Sequence, residues 1–143
     1  MGLLGHSDAD VATHALIDAL IGAAAAGDIG EWFPDSDPAY QGADSIKLLQ
    51  IVWEKLHAMG YEIGNIDLVI TAQKPKLSSY KALMSQNIAQ VLGISVSQVN
   101  IKAKTNEGLG YLGRMEGIAA QAVVLLTKEN VFTGWQDNEQ GNE

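Results

Sequence analysis

The sequence has 143 residues, 47% of them hydrophobic, which suits one domain with a real buried core. It contains no cysteine, so disulfides and thiolate chemistry are excluded and metal ligands must be His, Asp or Glu. A formal net charge of -8 disfavours a nucleic acid or an anionic membrane as the partner. No signal peptide or stretch long enough to span a bilayer is visible, so we expect a reducing, cytoplasmic location.

The first half of the chain is predicted to be helical. Apolar residues near helical spacing predict a first helix over residues 9–26, with Ser7 as its N-cap. The polar segment D-I-G-E-W-F-P-D-S-D-P then predicts a loop. A second helix is expected over residues 45–59, with Asp44 as its N-cap and Gly60 at its end.

The second half of the chain is predicted to alternate between strands and a helix. Alternation around Ile66, Leu68 and Ile70 predicts a half-buried strand. A third helix is expected over residues 79–92, and a second strand contains Val99, Ile101 and Ala103. Residues 118–126 suit either a helix or a strand, and their alternation favours a strand.

This order predicts one α/β domain over residues 1–128, followed by a disordered tail over residues 129–143 where periodicity is lost. The first helix has no strand before it on which to pack. We therefore expect that a strand is missing upstream of Met1.

Polar residues cluster where the first predicted helix begins, in G-H-S-D-A-D-V-A-T-H. Helical spacing places Asp10, His14 and Asp18 on one face, which could present a metal ligand. His6 and Ser7 lie near the expected free backbone N–H groups, a position that favours a phosphate. The alternative is that these are ordinary capping residues and a surface pair.

Three later segments carry groups suited to a phosphorylated sugar. The loop after the first helix offers aspartates that can accept hydrogen bonds from hydroxyls, or it is a solvated turn. The turn Q-K-P-K-L-S-S can read a base edge and meet a phosphate, or its lysines are solubilising. The segment K-A-K-T-N-E-G-L-G offers the Thr105 hydroxyl and the Glu107 carboxylate, or it is simple turn chemistry.

The order and spacing of these motifs resemble one enzyme family. The series G-H-S-D-A-D-x-x-x-H, G-D-I-G-x-x-F-P-D-x-D, A-x-x-P-K, K-A-x-T-x-E-x-L-G and G-R-x-E-G-I is similar to that of 2-C-methyl-D-erythritol 2,4-cyclodiphosphate synthases. The resemblance covers about residues 2–128. It implies an α/β domain of the α+β sandwich kind, in which a mixed sheet carries three helices on one face and turns its other face toward a trimer core.

The resemblance also implies an activity. It implies a bacterial homotrimer with its active site between neighbouring subunits, acting in non-mevalonate isoprenoid biosynthesis. Members convert 4-diphosphocytidyl-2-C-methyl-D-erythritol 2-phosphate to the 2,4-cyclodiphosphate and CMP. Their substrate is the small-molecule cytidine diphosphate compound, and members can bind an isoprenoid diphosphate at the trimer axis.

Site residues follow from the same resemblance. His14 is implied as a ligand of Zn²⁺ and Glu107 as a ligand of Mg²⁺ or Mn²⁺, while His6 and Thr105 stabilise the phosphoryl transition state. The implied contacts with ribose and erythritol are Asp28, Ile29, Gly30, Phe33, Pro34, Asp35, Ser36 and Asp37. Those with cytosine and the phosphates are His6, Ser7, Ala72, Gln73, Lys74, Pro75, Lys76, Leu77, Ser78, Ala103, Lys104, Thr105, Asn106 and Glu107, and those near the axis are Tyr111 and Arg114.

One departure from the family pattern concerns zinc. The family completes its zinc site with an Asp-x-His pair on an N-terminal strand, and the sequence contains no such pair. We therefore expect an incomplete zinc site.

Two alternative functions remain open at this stage. One is a catalytically impaired trimeric binding module of the same fold. The other, a generic metal-dependent phosphohydrolase, would need a three-ligand site that these residues do not assemble.

Overall fold

Four α-helices, one 3-10 helix and three strands are the regular elements in the described part of the chain. The computed structural model describes residues 2–34, 44–72, 78–104 and 118–128, without the side chains of residues 2–8 and 78–79. The helices are α1 (Gly2–Ala23), α2 (Ile29–Trp32), α3 (Ser45–Ala58) and α4 (Ser78–Leu92). The strands are β1 (Tyr61–Thr71), β2 (Val99–Lys104) and β3 (Ala119–Lys128), and a 3-10 helix, Val96–Gln98, precedes β2.

The three strands form a mixed sheet with β1 at its centre. β2 pairs with β1 in parallel and β3 pairs with it antiparallel. The parallel pair is joined through α4, the kind of crossover that parallel strands require. In this register Leu68 lies between Ile101 and Ala122, so the alternating apolar residues of all three strands share one face.

Helices α1, α3 and α4 cover that apolar face. α1 packs on β3 and α3, and α4 packs on β2. Leu16, Leu20, Leu49 and Leu68 are completely buried between these layers. The prediction of an α+β domain with three helices on one face of a mixed sheet is confirmed. No helix within the described ranges combines the length and apolarity needed to cross a membrane.

The predicted bounds of the first helix are wrong at both ends. α1 begins at Gly2, because the leucines before His6 are strong helix formers, so Ser7 lies inside the helix and is not its N-cap. It also ends before residue 26, since Ala25 adopts a left-handed φ of 53° and the Ala26 N–H turns back to the carbonyl of Ile21.

Several other predicted elements agree with the structure. Asp44 caps α3, because its Oδ1 accepts from the backbone N–H of Ile46 at 3.0 Å. Gly60 follows α3 with a φ of 100°, a left-handed conformation that glycine adopts without strain. The ambiguous segment is strand β3, as its alternation favoured. The proposed tail, residues 129–143, lies outside the described residues.

The opposite face of the sheet carries a polar cluster in its middle. Asp67 lies beside Asn100 in the register, and the Asn100 side-chain amide donates to Asp67 Oδ1 at 3.0 Å. The ammonium of Lys102 lies 3.0 Å from Asp67 Oδ2. The hydrogen bond from Asn100, followed by the hydrogen bond and charge of Lys102, lowers the pKa of the Asp67 carboxyl.

This pKa shift predicts a pH-dependent difference in stability between the wild type and Asp67→Asn. A carboxyl whose pKa is lowered by folding stabilises the protein above its unfolded pKa, near 3.8, and the contribution disappears as the pH falls through the folded value. We expect wild type to be more stable than the variant at pH 6 and the gap to close toward pH 3, as measured by urea unfolding. A gap that stays constant over this range would contradict the assignment.

Candidate functional site

The turn between α1 and α3 presents the first candidate group. Asp28 is the N-cap of α2, a single helical turn where the sequence predicted a loop, and its Oδ1 accepts from the backbone N–H of Glu31 at 2.9 Å. Asp28 and Gly30 are exposed, Ile29 is half-buried and Phe33 is buried. The turn therefore offers a carboxylate and nearby backbone to solvent, an arrangement suited to binding hydroxyl groups.

An aromatic residue that the sequence reasoning did not single out supports this turn. The indole Nε1 of Trp32 donates to the carbonyl of Ala26 at 3.0 Å, and the ammonium of Lys55 lies 5.7 Å from the centroid of the Trp32 ring. A large aromatic side chain within a short polar segment was the only signal in the sequence. Its partners were not visible there, because Lys55 belongs to α3.

The carboxyl ends of the parallel strands form a second cluster. Thr71 pairs with Lys104 at the last register position, and the backbone N–H of Ala72 donates to the carbonyl of Lys104 at 3.0 Å. Ala103 lies beside Ile70 in the same pair of strands. The structure therefore brings together the predicted site residues Ala72, Ala103 and Lys104, at the sheet edge where ligands of open α/β sheets commonly bind.

A third cluster lies on the exposed face of α1. His14 Nε2 lies 3.7 Å from Asp10 Oδ2, and both side chains are about half exposed. Within the described ranges no group of three or more His, Asp or Glu side chains could hold a metal ion. These residues supply at most two ligands, so by themselves they do not form the three- or four-ligand site that zinc needs.

The first two clusters lie at opposite ends of β1. The Tyr61 hydroxyl, at the start of β1, donates to the carbonyl of Ala24 at 3.5 Å, which places the Asp28 turn near that end. Lys104 pairs with the last residue of the strand. β1 is eleven residues long, so its ends lie roughly 30 Å apart at the rise of a strand. In one copy of the chain the two clusters therefore lie toward opposite ends of the sheet.

Many of the predicted site residues lie outside the part that can be described. His6 and Ser7 are helical residues of α1 and Ser78 begins α4, and their side chains are not described. The prediction that His6 and Ser7 meet free N–H groups at a helix start is wrong, because α1 begins at Gly2. Pro34 is exposed at the end of a described range. The remaining residues outside the description are Asp35, Ser36, Asp37, Gln73, Lys74, Pro75, Lys76, Leu77, Thr105, Asn106, Glu107, Tyr111 and Arg114.

Comparison with known proteins finds close relatives over most of the chain. The model of the YgbB family matches residues 1–127. A Clostridium perfringens 2-C-methyl-D-erythritol 2,4-cyclodiphosphate synthase is 57% identical over 127 residues, which are 89% of this chain and 81% of that protein. The Bacillus cytotoxicus synthase of the same name is 56% identical over 128 residues, 90% of this chain and 81% of its own length.

A solved structure agrees with these sequence matches. The Plasmodium falciparum protein IspF, in a complex with CDP, superimposes with a TM-score of 0.73 at 33% identity. The match covers 84% of this chain and 72% of that protein. The similarity therefore extends to the fold as well as the sequence.

Proposed function

The chain belongs to the YgbB family, and on that premise we propose that its polar clusters build the active site of a 2-C-methyl-D-erythritol 2,4-cyclodiphosphate synthase. The reaction converts 4-diphosphocytidyl-2-C-methyl-D-erythritol 2-phosphate to the cyclic diphosphate and CMP, a phosphorus–oxygen lyase reaction of non-mevalonate isoprenoid biosynthesis. The close relatives that carry this activity in their names support the enzyme over a catalytically impaired binding module.

The separation of the two clusters along β1 is the observation that carries the proposal for the site. A substrate with a sugar at one end and a base at the other needs both the Asp28 turn and the Ala72–Lys104 edge. Since one chain holds them at opposite ends of the sheet, the site is built where the Asp28 turn of one subunit meets the Lys104 edge of a neighbour. Head-to-tail contacts of this kind close into a ring when the rotation between neighbours divides a full turn, and we propose a homotrimer.

The face of the sheet that no described helix covers is consistent with this assembly. Val123 and Leu125 of β3 are 70% and 57% exposed there. Large apolar side chains exposed side by side on a sheet favour burial against another surface. We propose that this face lies toward the trimer core, with Tyr111 and Arg114 near the axis, where an isoprenoid diphosphate binds.

The reaction needs positioning and charge neutralisation more than a protein nucleophile. The 2-phosphate of the substrate attacks its own β-phosphorus, a new P–O bond closes the ring, and the bond from that phosphorus to the bridging oxygen breaks as CMP leaves. Asp28, Ile29, Gly30 and residues 33–37 hold ribose and erythritol, and residues 72–78 with Ala103, Lys104 and Asn106 enclose cytosine and its phosphates. His6, Ser7 and Thr105 contact the reacting phosphates, where His6 and Thr105 stabilise the transition state.

Metal dependence is a property of the family, and the identity and ligands of the ions in this chain are proposed. We assign His14 as one ligand of Zn²⁺, and Glu107 as a ligand of Mg²⁺ or Mn²⁺ that neutralises phosphate charge. The described residues do not complete a zinc site. We also propose a cytoplasmic bacterial enzyme whose synthase domain spans residues 1–128, followed by a disordered tail over residues 129–143.

The products of the reaction test this function. The purified chain should be incubated with the diphosphocytidyl substrate, Mg²⁺ and Zn²⁺, with CMP followed by chromatography and phosphorus products by ³¹P NMR. We expect CMP and the cyclic diphosphate in equal amounts. CMP with a linear phosphate product would instead identify a hydrolase, and CDP binding without CMP release would identify a binding module; either result overturns the proposal.

A further inference from the structure

We propose that Trp32 is a positioning residue that holds Asp28 and Gly30 in the conformation that binds the ribose hydroxyls of the substrate. This inference rests on the proposed function, in which the Asp28 turn contacts ribose. Trp32 acts through the turn, by tying it to two other helices, and it needs no contact of its own with the ligand.

The Asp28 turn cannot hold its conformation by local interactions alone. α2 has only four residues, and a single helical turn is unstable in isolation because nucleating it costs more free energy than its few hydrogen bonds return. The Asp28 side chain caps this turn at its start. The position of the carboxylate is therefore set by whatever fixes α2 to the rest of the domain.

Trp32 makes one hydrogen bond within the α2 turn and one to the segment that follows α1. Its backbone N–H donates to the carbonyl of Asp28 at 3.3 Å, and its indole N–H donates to the carbonyl of Ala26 at 3.0 Å. The Ala26 carbonyl follows directly after Ala25, whose φ of 53° is unfavourable for a residue with a side chain. The indole thus fastens α2, which Asp28 caps, to the segment that follows α1.

Lys55 extends this support to α3. Its ammonium lies 5.7 Å from the centroid of the Trp32 ring, within the range of a cation–π interaction. The neighbouring Phe33 is 9% exposed and belongs to the hydrophobic core. The turn is therefore held between α1 and α3 by Trp32, with Phe33 as its anchor in the core.

The role of Trp32 can be tested by measuring how strongly the nucleotide-binding site prefers a nucleotide with ribose hydroxyls over one without them. Affinities for CDP and 2′,3′-dideoxy-CDP should be measured by calorimetry on the full chain, for wild type, Trp32→Phe and Lys55→Met. We expect Trp32→Phe to weaken CDP binding by about fivefold, the scale of one neutral hydrogen bond, and to leave dideoxy-CDP binding unchanged. Lys55→Met should lower the ratio of CDP affinity to dideoxy-CDP affinity by about twofold.

Trp53→Phe is the matched control. The indole N–H of Trp53 also donates to a backbone carbonyl, that of Leu92 at 2.9 Å, but it joins α3 to the end of α4. Its loss should lower the melting temperature without changing the ratio of CDP to dideoxy-CDP affinity. The two variants therefore remove the same chemical interaction from two different places.

The outcomes separate the inference from the proposed function. If wild type fails to bind CDP, or binds the dideoxy compound equally well, the proposed ribose contact is wrong and the inference falls with it. If wild type discriminates but Trp32→Phe keeps the same ratio, only the inference is overturned. An equal loss for both nucleotides, or a ratio changed as much by Trp53→Phe, would assign Trp32 a general structural role and overturn positioning.

Discussion

Replacing Asp28 by alanine is expected to weaken CDP binding by about 10- to 100-fold, because a carboxylate that accepts from a ribose hydroxyl makes a charge-assisted hydrogen bond of about 1.5–3 kcal/mol. The same change removes the cap of α2, since Asp28 Oδ1 accepts from the Glu31 N–H. Asp28→Asn keeps a capping oxygen but loses the charge, so it should show most of the loss. Calorimetric titration with CDP measures both variants.

Asp44→Asn provides the matched control for this prediction. Asp44 is also an exposed capping aspartate, and its Oδ1 accepts from the Ile46 N–H at 3.0 Å. It caps α3 and has no proposed contact with the substrate, so its replacement should leave CDP affinity unchanged. A comparable loss in both variants, or unchanged binding in Asp28→Ala, would rule out a ribose contact by Asp28.

Replacing Leu20 by alanine is expected to lower the free energy of unfolding by about 2–5 kcal/mol. Leu20 is 0% exposed in α1, and α1 covers the sheet through β3 and packs on α3. Removing its side-chain atoms would leave a cavity that the close-packed layers cannot fill without moving. Urea unfolding followed by circular dichroism, at one fixed protein concentration, measures the change.

Leu83→Ala is the control for burial. Leu83 also lies within a helix, α4, but is 54% exposed, so the change in helix propensity is the same while the buried area lost is much smaller. We expect its effect to be below about 1 kcal/mol. Similar losses of stability in the two variants would show that α1 does not pack on the sheet as described.

The proposed site between subunits has a consequence for mixtures of two variants. In the proposed assembly each cluster of one chain belongs to a different ligand, because the Asp28 turn and the Lys104 edge lie at opposite ends of β1. A substitution in the Asp28 turn and a substitution at the Lys104 edge would therefore impair the same active site only when they lie on different chains. If the proposed homotrimer forms, mixing two inactive variants, one from each cluster, restores some complete sites, and we expect CMP release to recover in part.

Most of the regular elements were predictable because their signals are local. The alternation of β1, the capping aspartate of α3 and the glycines after α3 and α4 each depend on a few neighbouring residues. The order of the polar motifs was enough to indicate the family. It did not indicate that α1 begins at Gly2, because the predicted cap at Ser7 competed with the helix-forming leucines before it. Nor did it indicate the single turn of α2, which is too short to be stable without packing against other elements.

The candidate site also combines features that the sequence determines with features that only the folded chain determines. The sequence by itself determined which polar groups are available, their place relative to each predicted helix or strand, and the absence of cysteine ligands. Only the tertiary structure decided their neighbours: the register joins Ala72 to Lys104, and packing places the Trp32 indole beside Ala26 and Lys55. Periodicity reports the environment of a residue within one element, whereas these contacts join different elements or segments. Their geometry exists only once the core has formed.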